Sequence, residues 1–572
     1  MNINLEQVPF SKAGSYLTFS VLRNSNISSP KRSKKELYLR TIHGSGLREL
    51  LRVELINQDK PVDYDIKVKP ELLTLEADSG KIDICISESK IVKFKGKGVG
   101  VRFTFENPRD FDNLQPYGEH WQLIAYTHSL KIMFSSLTGE IEVDAPWEGV
   151  KSSHIIIDFV PDEKEIIEFV LEEFETSWEE KDYEKDFKTS KQIVKKEFQN
   201  WLDKTLNVGE EFKEERKLAA YVNWESLVNP EGVLKRKAMY MSKNHMTNVW
   251  SWDHCFNAMA LIENNPQIGW DQYVLMFDHQ RDNGVLPDRV NDKEYYWNFV
   301  KPPIHGWVLK WMMNRSNFIT EEKLKEVYEP LSRWTDWWFK YRDTDGDGIP
   351  EYHHGNDSGW DNSTVFHKGA PVESPDLSAF LVIQMEVLSE IADILGKGEE
   401  AAEWEVRSEK LLANMLDHCW TGEEFIAPYP KTHEYFDKGD SLILYIPVIL
   451  GKRLPESIKN KLIDDLKEEG RFLTENGLAT ESINSSFYES DGYWRGPIWA
   501  PSTMIMIEGI EAAGEKEFAM DLAYRFCQMI KKGGMAENFD AVTGEGLRDR
   551  AYTWTSSVFL MLANKVLLKK ID

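Results

Sequence analysis

The spacing of apolar residues changes character part-way along this chain. Up to about residue 160 it has a period of two. Ile82, Ile84 and Ile86 alternate with polar residues, as do Val99, Val101, Phe103 and Phe105, and Leu130, Ile132 and Phe134 before the Thr138-Gly139 turn. His154 to Val160 is a further short apolar run. Period two places every second side chain on one face of a strand, and Gly, Pro and Asn turns between such runs predict an antiparallel β-sandwich over residues 1–175. From Thr176 to Leu206 the chain is rich in Lys, Glu and Asp, while Phe187, Ile193, Val194, Phe198, Trp201 and Leu202 fall at helical spacing. That stretch, 176–206, reads as a helical linker with a solvated charged face. Residues 207–572 read as helical. In Glu322 to Tyr341 the apolar positions are Leu324, Val327, Tyr328, Leu331, Trp334, Trp338 and Tyr341, at intervals of three and four. Leu377 to Leu395 and Ala401 to Leu416 form a second pair, followed by Leu522 to Ile530 and Tyr552 to Leu568. Helical hairpins joined alternately by short and long connections predict a toroid of helix pairs. Its long loops gather at one end, where function concentrates.

Composition narrows the function classes. The formal net charge of −26 argues against nucleic acid or an anionic membrane as partner, because phosphate binding needs concentrated positive charge. It suits a small neutral substrate. Cys85, Cys255, Cys419 and Cys527 stand far apart with no C-x-x-C pair, so neither a disulfide framework nor a metal framework is expected, and a reducing cytoplasm is the simplest compartment. Met1 to Pro9 has no cationic start or apolar run, and no stretch of about 18 apolar residues is present to span a membrane. Oligomeric state is left open. Of 20 Trp residues, 17 lie after residue 200, more than helix packing asks for. Indole faces stack on the C–H faces of sugar rings while neighbouring polar groups meet the hydroxyls.

The candidate chemistry centres on His353-His354-Gly355-Asn356-Asp357-Ser358-Gly359-Trp360-Asp361-Asn362-Ser363. Asp361 directly follows an indole. A carboxyl beside an aromatic face is poorly solvated, which raises its pKa and keeps it protonated for general-acid work. Asp357 lacks that neighbour and ranks below it. Glu373 and Asp376 read as a helix start, with Ser374 or Asp376 as cap. Three other loops share the mixture of rings, carboxylates and amides: Asn248 to His254, Phe277 to Asp288, and Asp491 to Trp499 followed by Ala536 to Gly546. Rings for sugar faces and bidentate acceptors for vicinal hydroxyls suit a carbohydrate. The candidate substrate-binding residues are Trp250, Trp252, Asp253, Trp360, Tyr493, Trp494, Arg495 and Trp499. Arg495 reads either as a group acting on substrate or base, or as a structural ion pair. Asp540 and Glu545 flank Glu537 and read as partners of its surroundings or as turn residues. Asp343-Thr344-Asp345-Gly346-Asp347-Gly348 is the first half of a calcium loop, with oxygen ligands on alternate residues. The twelfth position is His354 instead of Glu, so the segment reads as a structural Ca2+ site using Asp343, Asp345, Asp347, Ile349 and Glu351, or as a plain polar turn. Acid–base work by carboxyl groups needs no catalytic metal.

Four blocks, Trp250-Ser251-Trp252-Asp253, Ser358 to Ser363, Tyr493 to Trp499, and Ala536-Glu537-Asn538-Phe539 with Thr543-Gly544-Glu545-Gly546, resemble glycoside hydrolase family 63 in content and order. The resemblance covers residues 240–560. It implies an (α/α)6 barrel preceded by a β-sandwich, and hydrolysis of an α-glycosidic bond with inversion. It implies Asp361 as general acid and Glu537 as general base, with Trp250, Asp253, Tyr493, Trp494 and Arg495 lining the sugar subsite. Inversion requires the two carboxyl groups to stand about 6.5–9.5 Å apart to admit the attacking water. The expected activity is exo-acting α-glucoside hydrolysis on short substrates. The alternatives are a glucosylglycerate or mannosylglycerate hydrolase, a sugar isomerase or epimerase, and a non-catalytic carbohydrate-binding protein.

Overall fold

The computed structural model describes residues 1–23, 35–46, 49–183, 186–432 and 434–571. They form two compact units, one of 1–204, 220–229 and 242–247, the other of 205–219, 230–241 and 248–572. The chain therefore passes between units several times, where a single crossing near residue 206 was expected. The helix Phe187–Lys204 is not a free linker. It packs on strands Gly80–Glu88 and Ile91–Lys97 of the first unit through buried Phe187, Val194 and Phe198. The segment 242–247 is held in the first unit by Lys243, whose buried Nζ donates to Ser15 O at 2.7 Å and Ser11 Oγ at 3.1 Å.

The first unit is built on two antiparallel sheets. One runs in the order Leu17–Arg23, Lys35–Thr41, Glu49–Asn57, Gly100–Phe105, Ile155–Val160, Glu140–Asp144, with Lys60–Val62 paired beside Glu49–Asn57. The other runs Asn113–Tyr117, His120–Ala125, Leu130–Thr138, Ile166–Phe174, Ile91–Lys97, Gly80–Glu88, Leu72–Ala77, Asp65–Lys69. The alternating residues face inward as their period requires: Ile82, Ile84, Val101, Phe103, Ile132 and Phe134 are fully buried. Between the sheets Phe159 stacks on Phe169 at 3.7 Å and Phe169 on Phe94 at 4.3 Å, with Phe103 edge-on to both sheets' rings. Each such Phe contributes about 2 kcal/mol of burial, which makes this ring cluster the anchor of the sandwich.

The second unit is a ring of helices. Six inner segments, Asp253–Leu261, His305–Met313, Pro375–Ile394, Leu442–Arg453, Ala500–Ala512 and Thr553–Ile571, each pack on the next, and the last returns to the first. Outer helices Pro266–Val274, Glu321–Tyr341, Gly398–Cys419, Glu456–Lys467 and Lys516–Gly533 lie against them. The outer helices carry the three-and-four apolar spacing, because one face meets solvent. The inner ones are enclosed on nearly every side: every residue of Asp253–Leu261 is buried, its Asp, His and Asn included. Leu442–Arg453 is a 3-10 segment with Pro447 inside, and Gly451 breaks its helical path at φ 55° and ψ −118°. Among the described residues no helix is long and apolar enough to cross a membrane.

Candidate active site

The chemistry-bearing residues stand where the chain enters the inner helices. Asp253 opens Asp253–Leu261, Lys301 precedes His305–Met313, Asp361 precedes Pro375–Ile394, Trp499 precedes Ala500–Ala512, and Glu537 precedes Thr553–Ile571. All are therefore presented at one end of the ring, as the long-loop pattern anticipated.

The loop of Asp361 is shaped by Gly359, at φ 73°, where a Cβ would come within 2.6 Å of the Trp252 ring. Its neighbour Asn362 clamps a second loop. Its Nδ2 donates to Gly492 O at 3.0 Å, and its Oδ1 accepts from Trp494 N at 2.9 Å. Between those points lies Tyr493, held at φ 64°, a backbone region that bulky residues rarely adopt outside functional sites. Tyr493 O accepts from Trp499 Nε1 at 2.8 Å, and the Tyr493 side chain hydrogen-bonds Asp361. Glu537 is fixed from both sides through its main chain: its N donates to Asp549 O at 2.7 Å, and Trp554 Nε1 donates to its O at 3.2 Å. A short ribbon pairing Trp499 with Asn538 joins this block to the Tyr493 loop.

These loops bring Asp361, Glu537 and Asp253 within one electrostatic environment. Burial pushes Asp361 up, Asp288 adds to the rise, and Lys301, the Tyr493 hydroxyl and His354 oppose it. Burial raises Glu537 to about 7, with the charges of Asp549 and Asp361 adding and Arg548 opposing. Asp253 is raised to about 8, first by burial, against the pull of Lys301 and with Asp288 and Asp361 adding. Tyr493 feels all three, Asp361, Glu537 and Asp253. The two carboxyl groups proposed from sequence thus lie near enough for the charge of Asp361 to raise Glu537, and Tyr493 feels both. The Glu537 main chain is tied at both its N–H and its carbonyl, and the Asp549 backbone also bonds its carboxylate.

Several expected roles change. Trp252, Trp360, Trp494 and Trp499 are only 1–2% exposed and pack on one another, Trp494 stacked on Trp499 at 4.1 Å and tilted against Trp360 at 4.8 Å. They leave no face for a sugar and form the dry wall behind Asp361; Trp554 edges onto Trp252 and Trp499. Trp250 and Tyr493 keep accessible surface. Arg495 pairs with Glu489 at 2.8 Å, the structural alternative, and it is Arg548 whose charge acts on Glu537. Asp357 accepts from Val300 N and His353 N, both at 3.0 Å, so it shapes its loop. Ser374 occupies the N-cap position without capping; its hydroxyl bonds Asp376, which also accepts from Tyr352 at 2.9 Å. Asp540 accepts from Val542 N and Thr543 N as a turn residue.

Lys301, Arg548 and Asp549 were missed from sequence. Lys301 is buried, pairs with Asp288 at 3.1 Å and donates to Asn356 O at 2.8 Å. A buried lysine beside three carboxylates has no sequence signal, since it lies in a Pro-rich connection 60 residues from Asp361. Arg548 and Asp549 follow Gly546 closely, and their charge pair could have been noticed there. Arg548 lies 4.9 Å from the Tyr493 ring and pairs with Asp491 at 2.7 Å.

In the D-x-D-x-D-G loop, carboxylate oxygens of Asp343, Asp345 and Asp347 come within 4.8 Å of one another, which fits a hard cation. Ile349 N donates to Asp347 Oδ1 at 2.8 Å, which ties Ile349 to this loop. Glu351 does not join. It is fully buried and paired with His353 at 2.9 Å, because the chain has already turned back into the core.

Residues 246–555, just over half of the chain, match the family described as the mannosylglycerate hydrolase MGH1-like glycoside hydrolase domain. The chain belongs to glycoside hydrolase family 63. Within that family it is 22% identical over 403 residues to the mannosylglycerate hydrolase of Rubrobacter radiotolerans, covering 54% of this chain and 89% of the relative. The family 63 mannosylglycerate hydrolase of Thermus thermophilus, crystallised with glucose, superposes with a TM-score of 0.52 at 18% identity, over 60% of this chain and 99% of that one. A bacterial glucoamylase complexed with acarbose covers 99% of this chain and 96% of its own at a TM-score of 0.63 and 14% identity, which bears on fold alone. Both the sandwich-plus-barrel architecture and the hydrolase class expected from sequence hold. The isomerase and non-catalytic alternatives fall away with them.

Proposed function

We propose that this family 63 hydrolase is an inverting, exo-acting α-glycosidase, with Asp361 as general acid and Glu537 as general base. The supporting observation is the pairing of environments around Tyr493. Asp361 is a raised carboxyl, backed by a dry tryptophan wall and hydrogen-bonded by Tyr493. Glu537 has a main chain fixed from both sides and a buried carboxyl whose pKa is raised to about 7. In this reading Asp361 delivers its proton to the glycosidic oxygen as the bond to the anomeric carbon breaks. Glu537 takes a proton from the water attacking the opposite face. Asp253, near Asp361 and with its pKa raised to about 8, hydrogen-bonds a sugar hydroxyl in this reading. Tyr493 and Trp250 keep surface for the sugar.

The substrate is an α-glucoside with a short aglycone. A second reading is favoured by the relatives: those from Rubrobacter radiotolerans and Thermus thermophilus are named mannosylglycerate hydrolases, and one from Mycolicibacterium hassiacum is named a glucosylglycerate hydrolase. The Asp343, Asp345 and Asp347 loop holds a structural Ca2+ in this proposal, bracing the approach to Asp361 without entering the reaction. Four buried, unpaired cysteines fit a reducing cytoplasm.

A panel of α-linked glucose disaccharides, glucosylglycerate and mannosylglycerate, with the released anomer followed by NMR, tests the reading. Initial release of the β-anomer from an α-glucoside is expected. Retention of configuration would overturn the mechanism, and exclusive turnover of a glycerate glycoside would replace the α-glucosidase reading with the second one.

A further inference from the structure

Behind Asp253 the inner helices Asp253–Leu261 and His305–Met313 bring three ligand-type side chains together. His254, Cys255 and His305 are all fully buried, and one ligand atom from each lies within 4.8 Å of the other two. The spacing of the cysteines hid this group, because its members are 50 residues apart in sequence and meet only across the ring. The catalytic reading uses none of them.

Two features point to a ligand. His305 is 0% exposed and neither of its ring nitrogens has a hydrogen-bond partner, a costly state for a buried imidazole. Aromatic rings surround it, with Phe277 at 5.4 Å edge-on and Tyr273 at 6.3 Å, and neither hydrogen-bonds its imidazole. The second feature is the tautomer of His254. The carbonyls of Trp250 and Tyr273 face this ring, and the bond that closes is Nδ1 to Trp250 O at 3.0 Å. Donating that proton leaves the Nε2 lone pair directed inward, the arrangement by which backbone carbonyls orient metal-binding imidazoles. Cys255 Sγ lies 3.7 Å from that Nε2. Nitrogen and sulfur ligands on one metal at a tetrahedral or trigonal angle stand about 3.5–3.7 Å apart, given bonds of about 2.0 and 2.3 Å.

We propose that His254, Cys255 and His305 form a buried three-ligand site for a thiophilic monovalent ion of the Cu+ class, which bolts the first inner helix to the second behind Asp253. Donor softness selects this class, since thiolate with imidazole suits copper and zinc over hard cations. Charge selects the monovalent member. Binding displaces the thiol proton to solvent, so a monovalent ion with one thiolate and two neutral imidazoles is neutral overall, whereas a divalent ion would leave a net charge in the dry interior. Three donors complete a trigonal shell.

The full-length protein, reduced and held anaerobically, is loaded with Cu+ supplied as its acetonitrile complex and passed through gel filtration against a chelating competitor. One retained equivalent is expected, with an X-ray absorption signature of one sulfur and two nitrogens and a raised Tm. Cys255→Ser and His305→Gln should each weaken retention by at least about 100-fold, the scale set by loss of even outer-shell partners. Cys527→Ser, a control for adventitious thiol binding, should retain the full equivalent. Circular-dichroism melts verify that each variant is folded, and the near-isosteric Cys255→Ser decides the matter if His305→Gln is not. No retained copper in the native chain, or the same retention in Cys255→Ser, overturns the proposal.

Discussion

At the scale of single residues, the carboxylate of Glu537 sets two pH dependences of opposite consequence. As a base it must be ionised, and its folded pKa of about 7 puts the acidic limb of kcat/KM near that pH, with activity falling as pH drops below it. The charge of Asp549 raises this pKa and that of Arg548 lowers it. Asp549→Asn should therefore move the acidic limb to lower pH, and Arg548→Gln should move it to higher pH, both read from kcat/KM profiles. Stability runs the other way. The folded pKa is raised above the ordinary value of 4.5, so the folded state binds the proton more tightly than the unfolded one. Stability is then full below about pH 4.5 and is lost as pH rises through 7. Glu537→Gln should be more stable than the native chain at pH 8, by up to about 3 kcal/mol, and equal to it near pH 4. Denaturant melts at the two pH values check this, and an equal effect at both would remove burial of the charge as its cause. The same variant and Asp361→Asn should each lose about 10²–10⁴-fold in kcat.

At the scale of elements, the site depends on a clamp between two loops. Asn362 alone supplies both a donor to Gly492 and an acceptor for Trp494 N. Asn362→Ala removes both and leaves the Trp494 N–H without its partner, at a cost of about 1–3 kcal/mol. Because Tyr493 sits inside the clamped turn at φ 64°, kcat should fall at least tenfold while the sandwich melts unchanged. Asn362→Asp keeps the acceptor and should retain more activity than Asn362→Ala. The D-x-D-x-D-G loop gives a parallel test: Ca2+ at 100 times its Kd should raise stability by about 3 kcal/mol, and Asp345→Ala should abolish that response. The Asn362 pairing was not legible in the sequence, since its partners lie 130 and 132 positions away. Gly359 was visible only as a flexible residue. That its missing Cβ makes room for the Trp252 ring became clear when the two loops were in place.

At the scale of the molecule, a net charge of −26 surrounds a site in which Lys301 and Arg548 are each paired with an aspartate and Arg289 lies over the Trp250 ring. A carboxylate-bearing substrate would approach against that field, while a neutral glucoside would not feel it. Raising ionic strength from about 0.01 M to about 0.15 M shortens the screening length severalfold. It should raise kcat/KM for glucosylglycerate or mannosylglycerate a few-fold, and leave a neutral α-glucoside unchanged. Equal salt responses for the two would mean that local groups outweigh the overall charge.

Local pattern sufficed where one face of an element meets water. The alternating isoleucines and phenylalanines of the sandwich and the three-and-four spacing of Glu321–Tyr341 both report a boundary between core and solvent. The inner helices have no such boundary. Asp253–Leu261, His305–Met313 and Ala500–Ala512 are buried over nearly all their length, and their run of residues carries no period to read. Adjacent motif residues were equally legible, as Asp361 after Trp360 and Glu537 in its block, because identity along the chain is local information. Which tryptophans keep accessible surface and which pack on one another, which arginine acts on Glu537, and that Lys301 and Asp253 lie within reach of the charge of Asp361 were decided by ring closure. It brings together groups tens to hundreds of residues apart, and solvation, on which every one of those roles depends, is a property of that assembled neighbourhood.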